Sequence, residues 1–152
     1  MNKLILLVTL LLLNIIWLPK ASGDNCNVSA TNVAFGSFNP LTGNTVDSTA
    51  TITVTCNKSI PYTIALSPGG SGTYSPRRMT NGGNQLAYNL YSDAGYSQVW
   101  GNGTGGSFMV SGSIPLRFDS TDHTVYGRIP LSTQRSAVVG SYSDSITVTV
   151  TF

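Results

Sequence analysis

Residues 144–152 read Asp-Ser-Ile-Thr-Val-Thr-Val-Thr-Phe and close the sequence. Successive side chains of an extended strand point to opposite sides. Ile146, Val148, Val150 and Phe152 therefore share one face, and Thr147, Thr149 and Thr151 share the other. A strand so regular, buried on one face, is either paired on both edges by earlier strands or leaves one edge for another chain. That choice decides what the molecule can do.

The same period recurs upstream. Ala50, Ile52, Val54 and Cys56 alternate with threonines over 49–56, and Leu86, Tyr88 and Leu90 are in phase over 85–91. Further strands are expected at 60–67, at 113–118 with Ile114, Leu116 and Phe118 in phase, and at 123–131. The last is expected at a sheet edge or bent, because Pro130 cannot donate to a ladder. Residues 26–38 read as a broken first strand ended by Asn39-Pro40 and Thr42-Gly43-Asn44. Residues 96–100 and 107–110 flank a glycine-rich turn at 101–106. No helical periodicity appears beyond the N-terminal stretch. Short strands parted by turn residues indicate an all-β protein, an antiparallel sandwich.

Residues 1–23 have the form of a secretory signal. Lys3 precedes an apolar run at 4–18, and Pro19-Lys20-Ala21-Ser22-Gly23 supplies a break and small residues, so cleavage is expected before Asp24. The run is short of the roughly 20 residues that span a bilayer. Residues 24–152 are thus expected as one soluble domain, exported through the Sec pathway to the periplasm and then to the cell surface or medium. Without residues 1–23 the six remaining cations (Lys58, Arg77, Arg78, Arg117, Arg128 and Arg135) face six Asp and no Glu. A net charge near zero argues against nucleic acid as a partner. Cys26 and Cys56 are the two cysteines, and in an oxidising compartment one disulfide is the default. A metal pair would need further His or Cys ligands nearby, and these are lacking.

Catalytic chemistry finds little support. Gly101, Gly103 and Gly106 satisfy a dinucleotide-binding spacing, but a strand rather than a helix is expected to follow, so a turn is the better reading. His123 is the single histidine, and its neighbour Asp122 points to the opposite side of an extended chain, so the two do not form a triad. His123 is read as a loop or strand-end residue. Without Glu, no acid/base carboxylate pair stands out, and Asp119 with Asp122 alone makes a weak calcium site. No enzyme, metal or organic cofactor is expected. Arg77-Arg78 reads as a solvated pair in a loop. Tyr74, Tyr96 and Trp100 are candidate surface aromatics for a sugar, against the commoner role of strand aromatics in cores and cross-strand pairs.

Taken in order, several stretches together resemble the spore coat protein U domain family, which includes the pilin subunits of archaic chaperone-usher pili. They are Cys26 with Val33-Ala34-Phe35-Gly36-Ser37-Phe38, Ile52-Thr53-Val54-Thr55-Cys56, Leu66 with Gly69-Gly70, Arg78-Met79, and Leu86-Ala87-Tyr88-Asn89-Leu90-Tyr91. Val99-Trp100-Gly101-Asn102-Gly103, Val125-Tyr126-Gly127-Arg128-Ile129-Pro130 and Gly140-Ser141-Tyr142-Ser143-Asp144 complete the series. The resemblance implies an incomplete immunoglobulin-like sandwich whose missing seventh strand comes first from a periplasmic chaperone and then from the next subunit, with an outer-membrane usher as a further partner. Ile146, Val148, Val150 and Phe152 would then line the acceptor edge of a non-catalytic pilus or coat subunit serving adhesion or biofilm formation. Polymerising pilins of this kind resemble one another in carrying an apolar donor segment ahead of the first cysteine. Only Asp24 and Asn25 would precede Cys26 here, which points to a tip or terminating subunit. The alternatives are a secreted coat protein that does not polymerise and a carbohydrate-binding module.

Overall fold

The computed structural model describes residues 25–39, 41, 44–130 and 137–152. The expected signal, Pro40, Thr42, Gly43, Leu131 and Arg135 lie outside them. Eight strands follow in order: β1 (Cys26–Ala30), β2 (Val46–Cys56), β3 (Ile60–Leu66), β4 (Arg77–Asn81), β5 (Asn84–Tyr91), β6 (Val110–Ile114), β7 (Asp119–Ile129) and β8 (Val148–Thr151). A single 3-10 turn, Gly69–Ser71, is the one helical element among the described residues. The strands form a five-stranded sheet, ordered β1-β2-β7-β5-β4, and a three-stranded sheet, ordered β6-β3-β8. Every ladder is antiparallel.

The alternation of β2 is realised as expected. Ala50, Ile52, Val54 and Cys56 are buried, while the threonines between them are not. Together with Tyr62, Ile64 and Leu66 of β3, Leu86, Tyr88 and Leu90 of β5, and Val125 and Ile129 of β7, they form one core between the sheets. Cys26 stands opposite Cys56 in the β1–β2 register and is bonded to it, with the Cα atoms 4.1 Å apart.

Four local expectations are corrected. The 113–118 strand ends at Ile114, which is fully buried, whereas Leu116 and Phe118 are exposed beyond it and Phe118 takes a left-handed φ of 58°. The strand expected at 123–131 begins four residues earlier, at Asp119, and lies between β2 and β5 instead of at an edge; Pro130 follows its end, where no ladder needs its missing N–H. The glycine-rich turn does not close a ladder hairpin, since Trp100 and Phe108 meet in a parallel bridge. Finally, Arg77 and Arg78 are strand residues of β4, and Arg77 is wholly buried.

Beyond β1 the chain crosses the inner side of the five-stranded sheet, and Gly127 makes this possible. A Cβ at Gly127 would stand 2.7 Å from Val33 Cγ1 and 2.9 Å from Phe35 Cζ. Gly127→Ala is therefore expected to destabilise the domain by about 1–3 kcal/mol through overpacking. A fall in the urea midpoint at unchanged slope would show it, and an unshifted midpoint would mean that residues 33–35 move aside freely.

Candidate functional site: an open strand edge beside a cleft

β8 forms from the alternating terminal residues, but only one of its edges is used. Thr63, Ile64, Ala65 and Leu66 of β3 pair with Thr151, Val150, Thr149 and Val148, and the Ser67 N–H donates to the Thr147 carbonyl at 2.9 Å. No described strand pairs with the other edge. The backbone groups there can form a ladder with an added strand.

Beside this edge lies a cleft of about 430 Å³. Ile52, Leu66, Leu90 and Val125 line its interior, with Val33 and Phe35 on one side and Ile146 and Val148 on the other. A second cavity of about 900 Å³ shares Val33, Phe35, Met79 and Tyr142 as walls and continues to Phe38, Leu86 and Ile129. Of the residues placed on the inward face, Ile146, Val148 and Val150 are half-buried against the core. Phe152 is 49% exposed and keeps a ring contact with Tyr62 at 6.0 Å. The inward side chains of β8 thus leave this side of the core partly open.

Polar groups frame the cleft. Tyr88, on the inner face of β5, donates its hydroxyl to Asp144 Oδ2 at 2.7 Å. Burial and the adjacent carboxylate both push the Tyr88 hydroxyl far above the usual phenol range. Close by, the Arg77 guanidinium donates to the Ser67 carbonyl from Nε at 3.1 Å and Nη2 at 3.0 Å. It also reaches the Trp100 carbonyl from Nη2 at 2.7 Å and Asn89 Oδ1 from Nη1 at 2.9 Å. These acceptors let a cation persist in the core, although burial lowers its affinity for the proton.

His123 is neither a loop nor a strand-end residue, because it sits within β7 opposite Ile52. Its Nε2 lies 2.8 Å from the Tyr62 hydroxyl, while Asp122 turns away and accepts the Thr53 hydroxyl at 2.7 Å. Desolvation holds the imidazole below its ordinary value of 6.5, outweighing the pull of Asp122. The folded state therefore binds a proton less readily than the unfolded chain. The stability tied to His123 is complete above the ordinary imidazole range and is lost as pH falls through the lowered value. Equilibrium unfolding from pH 7.5 to 5 should show this loss for the native chain and a flatter profile for His123→Gln; equal slopes would remove His123 as the cause.

The three candidate sugar-stacking aromatics are not brought together. Trp100 is 1% exposed and donates its ring N–H to the Ile64 carbonyl at 3.0 Å, so its placement on the surface is corrected: the indole is a core group with its donor satisfied inside. Tyr74 packs by Arg77, whose guanidinium carbon is 5.3 Å from its ring centre. Tyr96 lies over Arg128 at 3.5 Å, with Tyr91 and Tyr126 at 5.5 Å and 6.3 Å. Among the described residues no cluster of His, Cys, Asp or Glu is suited to a metal ion.

Val33, Phe35, Tyr88 and Asp144 are parts of this site that the sequence does not mark as such. The apolar alternation of Val33 and Phe35 was a usable signal. Nothing local links Tyr88 to Asp144, which are 56 residues apart.

Residues 14–149 match the Spore Coat Protein U domain. The chain belongs to that family. Its fold is similar to that of the CsuE tip adhesion subunit of the archaic chaperone-usher Csu pili of Acinetobacter baumannii, solved as a pre-assembly complex with the chaperone CsuC. The TM-score is 0.62 at 20% identity, over 85% of this chain and 40% of that one. The spore coat U chain thus spans about two fifths of that structure's length. It is also similar to the P pilus rod subunit PapA, with a TM-score of 0.53 at 18% identity, over 83% of this chain and 97% of that one. No curated protein matches it. The all-β antiparallel sandwich of this spore coat U domain resembles the fold of these pilus subunits.

Proposed function

We propose that this protein is a non-catalytic, exported subunit of a surface pilus or coat, assembled by strand addition at β8. One observation carries the reading: the regular terminal strand has a single ladder partner and lies beside an apolar cleft. An incoming strand of alternating apolar residues would pair with the free backbone groups of β8 and place its side chains in the cleft, meeting both needs together. The partners in this reading are a periplasmic chaperone, such as the one crystallised with CsuE, then an outer-membrane usher and neighbouring subunits. Adhesion or biofilm formation would be the service. A tip or terminating position goes with cleavage before Asp24, which mass spectrometry of the exported protein checks directly.

The test is capture by a co-expressed chaperone of this class. Val148→Asp is expected to weaken capture by about 100-fold or more, because closing an apolar cleft over an unpaired carboxylate costs several kcal/mol. Thr149→Asp, on the exposed face, should leave capture unchanged. Capture of Val148→Asp at the native level would overturn strand addition at this edge.

A further inference from the structure

The chain just before β8 changes sheets within a few residues. At Ser143 it is bridged to Thr80 of β4, the edge of the five-stranded sheet, by paired backbone hydrogen bonds of 2.9 and 3.1 Å. By Thr147 it has joined the other sheet. Ser67, just past β3, donates its N–H to the Thr147 carbonyl at 2.9 Å, and the Thr147 N–H donates to the Ser67 hydroxyl at 2.9 Å. Asp144 is the first residue of this crossing. Its carboxylate accepts three hydrogen bonds: from the Tyr88 hydroxyl at 2.7 Å, from the Gly70 N–H at 2.9 Å and from the Ser145 N–H at 2.8 Å. Gly69 closes the fit, since a side chain there would overlap the carboxylate, and its φ of 71° disfavours one as well. Asp144, Tyr88, Ile146 and Val148 all line the cleft.

We propose that Asp144 is the positioning residue of the acceptor edge, an inference that rests on the strand-addition reading. By tying β5 and the Gly69–Gly70 turn to the start of the crossing, its carboxylate sets how far β8 stands from the five-stranded sheet. The cleft is then held ready for a strand before one arrives. An edge that had to be ordered on arrival would bind more weakly, in proportion to the fraction of molecules in the competent arrangement. Side-chain amides have the same shape as carboxylates. Asp144→Asn keeps an oxygen for the two backbone donors and a nitrogen that donates to the Tyr88 oxygen, whereas Asp144→Ala releases all three groups.

The experiment titrates the full chain and its variants with a synthetic peptide of alternating valine and serine, alongside urea unfolding of each. Asp144→Ala is expected to bind about tenfold more weakly or worse, since it releases three hydrogen bonds, and Asp144→Asn within about threefold of the native chain, since the amide keeps all three contacts. In hydrogen exchange, Asp144→Ala should lose protection at 145–151 while β2 and β7 keep theirs. Native affinity in Asp144→Ala, or an equal loss in Asp144→Asn, would overturn the assignment. Should Asp144→Ala fail to fold, Tyr88→Phe removes one of the three donors and keeps the ring. Weaker binding by that variant supports the role, and unchanged binding overturns it. A native chain that does not take up the peptide would sink the strand-addition reading and this inference together, whereas equal uptake by native chain and alanine variant would sink this inference alone.

Discussion

Arg77→Met is expected to lower the stability of the domain by about 2–4 kcal/mol, a large part of the roughly 5–15 kcal/mol that holds a domain of this size. The side chain is fully buried, and its guanidinium satisfies the carbonyls of Ser67 and Trp100 together with Asn89 Oδ1. Methionine fills most of the volume but donates nothing: the Ser67 and Trp100 carbonyls lose their donor, at about 1–3 kcal/mol each, whereas Asn89 Oδ1 keeps the Leu90 N–H at 3.0 Å. Removing the cation also relieves its desolvation, which keeps the net loss below the upper end of that sum. Lysine offers a point charge in place of a planar fork and cannot reproduce the four contacts, so Arg77→Lys should recover little. Urea unfolding measures the difference, and a methionine variant within about 1 kcal/mol of the native chain would show that relief of desolvation outweighs the lost hydrogen bonds.

Replacing Cys26 and Cys56 together by serine is expected to cost about 3–4 kcal/mol on the chain-entropy estimate for the 30-residue separation they close. The loss should be uneven across the molecule. β1 has one neighbour, β2, and its register begins at the disulfide pair. It leads into Val33 and Phe35, which form one wall of the cleft. Hydrogen exchange should therefore accelerate first over 26–35, with a fall in Tm on the order of 10 °C. The double variant should also capture a chaperone less well than its residual stability alone would predict. Uniform loss of protection over both sheets would mean instead that the disulfide acts on the unfolded chain alone.

Much of the sandwich was legible because alternation is a local property. Ala50 to Cys56, Leu86 to Leu90 and Val148 to Val150 each state a strand and its inward face within a few residues, although the last strand starts at Val148 rather than at Asp144. Alternation misled where nothing covers the face, as at Leu116 and Phe118, and charge misled where acceptors wait in the core, as at Arg77. Trp100 misled in the same way, since its burial depends on the Ile64 carbonyl, 36 residues away. The strand expected at 123–131 puts His123 at its start, yet β7 begins at Asp119 and the polar residues 119–122 form the first rungs of its ladder with β2.

The sequence by itself determined the all-β class, the inward faces of β2 and β5 and the family resemblance, all of which rest on residue order over short spans. Which strands became edges was decided only in the tertiary structure. β7 was enclosed by β2 and β5, and β8 was left with β3 alone, because pairing joins segments far apart in the chain. The terminal alternation of Ile146, Val148, Val150 and Phe152 therefore promised a buried face, but only the packed sheets made it the half-filled side of a cleft, with Phe152 exposed at its end.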